Sequence, residues 1–156
     1  MVPSVFGVEG VFLNQITRKA SVHWKGEASG STRTVSTESG ILQEAGVASG
    51  IPLTSVLEAD PPELIAAAHA SSFSLALSDE LAAIGFTEGE INTTAMLVLE
   101  ELTSGWTIMK VNLNVVARLP SVTQGEFIDA TIRAKTTCLV SRSLRANVSM
   151  NAKLEK

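Results

Sequence analysis

A chain of 156 residues, 45% hydrophobic and 18% charged, is long enough for one domain with a real core and too apolar to be disordered. Its net charge of -4, with Lys and Arg scattered, offers no basic block, so neither nucleic acid nor an anionic membrane is an expected partner. The one cysteine, Cys138, excludes an intramolecular disulfide and fits a reducing compartment.

The first residues, Met1 to Ile16, are fairly apolar but open without a basic segment and carry Glu9, so no targeting signal is expected and a cytoplasmic location follows. Val5 to Ile16 is ambiguous and could form an extra strand joined through Gly7 and Gly10. Lys19 to Trp24 alternates as a strand does. Glu27 to Ser31 reads as a turn, Thr32 to Ser36 as a second strand, and Ile41-Leu42 as the start of a third. A loop with Gly46, Gly50 and Pro52 follows.

The strongest local signal is a long helix. Asp60 suits the N-cap, Pro61 the first helical position, and Glu63 completes an Asp-x-x-Glu capping box. Gly85 supplies the left-handed stop. Leu64 to Leu77 carries no formal charge on any face, which predicts burial on all sides. The charge-free run to Ser78 is too short and too rich in Ala and Ser to span a bilayer. A domain this small has difficulty surrounding such a helix alone, so a dimer is expected.

Beyond Gly85 the period becomes two. Thr93 to Glu101 and Trp106 to Ala117 read as a hairpin about Gly105, with Met109, Val111, Leu113 and Val115 on one face. Leu119-Pro120 ends it. Ser121 to Thr137 reads as a helix with Phe127, Thr131 and Ala134 on one stripe, and a short helix follows Cys138. Asn147 to Leu154 alternates as a closing strand. Strands, a long helix, a hairpin, helices and a final strand make the fold class α+β.

Five segments share an order and spacing: Val22-His23-Trp24-Lys25-Gly26, Thr34-Val35-Ser36-Thr37-Glu38-Ser39-Gly40, the helix from Pro61 to Leu77, Ala83-Ile84-Gly85-Phe86-Thr87, and Lys135-Thr136-Thr137-Cys138-Leu139-Val140-Ser141. Together they resemble the OsmC-like branch of the OsmC/Ohr family, the osmotically inducible protein C and organic hydroperoxide resistance proteins. The resemblance runs over residues 19–156 as a single OsmC-like domain and leaves 1–18 as an N-terminal extension. It implies an intertwined homodimer with two long central helices between sheets and active sites at the subunit interface. It also implies peroxide and oxidative-stress defence by thiol-dependent reduction of organic hydroperoxides. In that chemistry a cysteine thiolate attacks the peroxide, an arginine lowers its pKa, and a glutamate ten positions before the cysteine holds the arginine. A second cysteine then closes a disulfide that a dithiol reopens.

On this resemblance Ser72 stands at the position of the attacking cysteine and Cys138 at that of the resolving one. A serine hydroxyl ionises far above physiological pH and forms no sulfenic acid. Pro62 stands where the glutamate belongs; Glu63 is adjacent but one helical step, about 100°, away. No arginine occurs between Arg33 and Arg118, and the region of Thr54 is its counterpart. The expected pocket near Ser72 and Cys138 involves His69, Phe73, Pro62, Glu63 and residues of the partner subunit.

Each of these residues also has a purely structural reading. Ser72 is simplest as a small helix residue bonding back to a carbonyl one turn earlier. Its one conceivable base, His69, has no third group. Otherwise His69 is a packed, hydrogen-bonded core histidine. Cys138 is a buried thiol whose apolar surroundings raise its pKa. Cys138 and Ser141 make a Cys-x-x-Ser pattern too weak to carry a function. Trp24 and Trp106 would pack the core or rim the pocket. His23 and His69 lack ligand spacing, so no metal and no cofactor is expected. Two functions remain: an OsmC-like protein, catalytically impaired, that binds a small hydrophobic ligand; or an active hydroperoxide reductase with Cys138 as its reactive thiol.

Overall fold

Alternating side chains and turn residues organise the chain in a computed structural model that describes residues 16–27, 30–47 and 59–156. The candidate strand at Val5 to Ile16, apart from its last residue, lies outside the described residues, as do Ala28, Ser29, Gly50, Pro52 and Thr54. The chain divides into two units, residues 1–49 and 50–156.

In the first unit β1 (Ala20–Glu27) pairs antiparallel with β2 (Gly30–Thr37), and β3 (Ala45–Gly46) adds to β2. The third strand starts later than Ile41-Leu42. Those residues are held in a bend, because Thr37 grips Leu42 twice: Thr37 N donates to Leu42 O at 2.9 Å, and Leu42 N donates to Thr37 Oγ1 at 3.1 Å. Such local bonds from a threonine compete with strand pairing.

The second unit begins with α1 (Pro61–Ala83), 23 residues and about 34 Å long. Asp60 is its N-cap, accepting from Glu63 N at 2.8 Å, with prolines in the first two positions. Only this half of the expected capping box forms. The stop is the one expected: Gly85, at φ +94°, lets Gly85 N reach Ala82 O and Phe86 N reach Leu81 O, both at 3.0 Å. The helix is not buried on all sides in the single chain. His69, Phe73, Leu77 and Leu81, at spacings of four, are buried, while Ala67, Ala68, Ser71 and Leu75 are exposed.

That stripe lies over a sheet of order β4-β5-β6, built from β4 (Glu90–Leu102), β5 (Gly105–Arg118) and β6 (Asn147–Glu155). Gly105, at φ +109°, makes the β4–β5 turn. Val111, Leu113, Val115 and Ala117 face the core, but Met109 does not: the pairing slips between Val98 and Leu99, and Ile108 takes the inward place. A one-residue slip turns a side chain to the other face. Trp106 is exposed rather than packed in the core. Gly89, at φ +133°, opens β4 against the end of β5, where a Cβ would sit 2.5 Å from Arg118 O.

A parallel partner for β5 requires a crossover. It is formed by α2 (Gln124–Thr137) and α3 (Leu139–Ser143). The first of these starts three residues later than expected, because Thr123 and Glu126 form a complete capping box there. Phe127, Ala130, Thr131 and Ala134 bury its inner stripe. Val148, Met150, Ala152 and Leu154 of β6 pack on the same core. Each large side chain so buried contributes roughly 1.5–3 kcal/mol.

His69 is buried in the core, and burial pushes its pKa down from the ordinary 6.5. Between the folded and unfolded pKa values the unfolded chain binds a proton that the folded chain refuses. The contribution is therefore intact above about pH 6.5 and is lost progressively as pH falls from there through the depressed folded pKa. Chemical denaturation across pH 5–7.5 is expected to show stability falling on the acid side by up to about 1.4 kcal/mol per pH unit, a component absent from His69→Gln.

Candidate functional site

Ser72 and Cys138 are 66 residues apart, yet their side chains touch. The Cys138 thiol donates to Ser72 Oγ at 3.4 Å. Three features of the chain bring this about. The spacing of α1 turns Phe73 and Leu77 into the core and leaves Ser72 half-buried beside them. The capping box at Thr123 sets the start of α2, and so where it ends. Cys138 then sits at the joint between α2 and α3, its N donating to Ala134 O at 2.8 Å, with 1% of its surface exposed.

Ser72 makes no bond back along its own helix; its hydroxyl meets the sulfur instead. His69 does not serve Ser72 as a base. Its Nε2 lies 2.7 Å from Ser141 Oγ, and its buried Nδ1 has no partner among the described residues. Ser141 is thus a member of the site, although Cys-x-x-Ser carried little weight in the sequence. The signal was the spacing itself, which sets a hydroxyl one turn beyond the cysteine.

The sulfur has a polar setting within an apolar shell. Burial pushes the Cys138 pKa up, but the hydroxyls of Ser141 and Ser72 and the amides of Ser141 and Val140 more than offset it, and the net shift is downward. This reverses the expectation of a raised pKa. An apolar lining alone would have raised it; hydrogen-bond donors favour the thiolate.

A shallow groove of about 350 Å³ opens beside this pair. Ser72, Leu75, Ala76, Asp79 and Glu80 of α1 line one wall, and Thr137, Cys138 and Leu139 the other. Glu80 accepts from Arg133 Nε at 2.8 Å across the two helices. His69 and Phe73 do not line the groove within the single chain; both are fully buried behind it. Pro62 and Glu63 stand in the first turn of α1, about 15 Å along the axis from Ser72. Thr54 lies outside the described residues. Among the described residues no group of three or more His, Cys, Asp or Glu side chains could hold a metal ion, and no helix is long and apolar enough to cross a membrane.

This arrangement offers one ionisable sulfur, a hydroxyl in contact with it and an apolar approach. It offers no second sulfur.

The chain matches the family described as OsmC-like protein over residues 55–153. It is 35% identical to the peroxiredoxin OsmC of Escherichia coli K12 over 140 residues, which cover 90% of this chain and 98% of that protein. An OsmC-like protein of unknown function from Vibrio cholerae has the same fold, with a TM-score of 0.74 at 18% identity over 88% of this chain and 99% of that one. So does an organic hydroperoxide resistance protein from Elizabethkingia anophelis, solved with a crystallant-derived thiocyanate bound, with a TM-score of 0.69 at 21% identity over 93% and 99%. At these identities the two structures speak for the fold, while the match over residues 55–153 and the E. coli relative carry the kinship. The chain belongs to the OsmC-like protein family.

Proposed function

We propose that this protein works in peroxide defence with a single thiol, and that the two-cysteine cycle of hydroperoxide reduction is broken in it. The observation that carries this is the contact of Cys138 Sγ with Ser72 Oγ at 3.4 Å. At that separation two sulfurs would be within reach of a disulfide after small adjustment. A hydroxyl in one place removes both the attacking thiolate and the disulfide. Pro62 cannot hold an arginine as a glutamate would. The groove beside the pair, with Leu75 63% and Leu139 70% exposed, suits a small hydrophobic molecule such as an organic hydroperoxide.

A second reading is favoured by one observation. Four donors about the sulfur hold its pKa below the ordinary thiol value, so Cys138 is itself more nucleophilic at neutral pH than a plain buried thiol. On this reading Cys138 attacks the peroxide, and an external thiol reduces the resulting sulfenic acid.

The assembly that fits is a homodimer. The exposed face of α1 with Ala67, Ala68, Ser71 and Leu75 is continuous in sequence with its buried stripe, and a second copy of the chain would cover it. Sedimentation equilibrium at micromolar chain concentration is expected to give twice the chain mass; a folded monomer would remove the dimer from this account.

Consumption of an organic hydroperoxide with dihydrolipoamide as reductant separates the readings. The impaired site is expected to turn over no faster than free thiol does. Rapid turnover abolished by Cys138→Ser would favour the second reading. The Ser72→Cys variant is expected to form a disulfide with Cys138 under oxidant while remaining slow. Adding Pro62→Glu and an arginine at Thr54 should then raise the rate by at least about tenfold, the equivalent of one pKa unit in thiolate. Equal rates for the single and triple variants would show that another group already supplies the charge.

A further inference from the structure

His69 is fully buried, and burial holds its ring neutral. A neutral imidazole has one N–H and one bare nitrogen. Nδ1 is buried without a partner among the described residues, whereas Nε2 lies 2.7 Å from Ser141 Oγ. A proton on Nδ1 would be a buried donor with nothing to accept it, which costs about 1–3 kcal/mol. The proton therefore belongs on Nε2, and His69 donates to Ser141 Oγ. Ser141, its oxygen so occupied, has its own proton left to give. Ser141 follows Cys138 by one turn at the start of α3, and its hydroxyl is among the hydrogen-bonding groups that pull the Cys138 pKa down.

We propose that His69 is a positioning residue for the Cys138 thiolate: its Nε2–H holds the Ser141 oxygen and so commits the Ser141 hydroxyl proton to Cys138 Sγ, which the Ser72 hydroxyl flanks at 3.4 Å. The inference rests on Cys138 being the reactive thiol of the site. It assigns work to three side chains, His69, Ser141 and Ser72, in the place where the family resemblance leads one to expect a positive charge.

Charged groups nearby do not do this work. Asp79 and Glu80 of α1 line the groove, and Arg133 of α2 is paired with Glu80. Arg142 of α3 is exposed, as are Glu90, Glu100 and Glu101 of β4, the strand that packs on α1. Neither the ring nor the sulfur is shifted by any of them; burial acts on both, and hydrogen bonds on the sulfur. The two acidic residues at the groove would in any case oppose a thiolate.

The test is the pH profile of Cys138 alkylation by iodoacetamide in the full-length protein. The wild type is expected to inflect below the ordinary thiol value of 9.0. Ser141→Ala and His69→Phe should each raise the inflection, with about a tenfold loss of rate at pH 7 per pKa unit. The double variant should lose no more than either alone, because both remove one donor path. His69→Gln, which keeps an N–H for Ser141, should recover most of the rate lost in His69→Phe. Ring 15N spectra of the wild type, needing no variant to fold, should show Nε2 protonated and Nδ1 bare. An Nδ1 proton would overturn the proposal, and so would a folded His69→Phe with the wild-type inflection. Peroxide turnover no faster than that of free thiol would defeat the reading in which Cys138 attacks the peroxide and yet leave this profile intact, so the two failures are distinguishable.

Discussion

The contact between Cys138 and Ser72 is the constraint on which the rest of the site depends. It exists because two helices end or pass at one place. The buried stripe of α1 fixes its rotation on the sheet, so that Ser72 points beside Phe73 towards α2. Cys138 is fixed by its own backbone, which closes α2 and opens α3. Little freedom is left to either side chain. The serine in this place is a hydrogen-bond partner for the one thiol of the chain.

Burial and hydrogen bonding pull in opposite directions at this sulfur. An enclosed thiol resists ionisation, and 1% exposure is close to complete enclosure. Yet its immediate neighbours are two hydroxyls and two amides, and these prevail. The same balance runs differently at His69, where burial meets a single hydroxyl and the ring stays neutral. One site thus keeps a histidine from charging and a cysteine from staying fully neutral. Only local donors distinguish the two.

Much of this was legible in the sequence. Asp60, the two prolines and Gly85 marked the ends of α1, because caps and stops are chemical requirements of a few residues. Alternation marked β5 and β6, and the juxtaposition of Ser72 with Cys138 followed from the family resemblance. What was not legible depended on contacts between distant residues. Met109 obeys the alternation in the sequence but is the unpaired residue of a bulge that only the β4–β5 pairing creates. The half-buried state of α1 depends on what lies on each side of it, which periodicity in an all-apolar segment cannot report. Ser141 looked like a weak pattern until His69, 72 residues away, was found against it. The direction of the Cys138 shift turned on those same hydroxyls, and a composition of apolar neighbours pointed the other way.

Stoichiometric oxidation tests the central claim most directly. The protein, free of any reductant, is treated with excess organic hydroperoxide in the presence of a sulfenic-acid trap and followed by intact mass. One thiol beside a serine predicts at most one trapped adduct per chain, at Cys138, with no disulfide within the chain and no further peroxide consumed after it. Continued consumption without reductant, or consumption that persists in Cys138→Ser, would contradict the account, because some other group would then be carrying the chemistry.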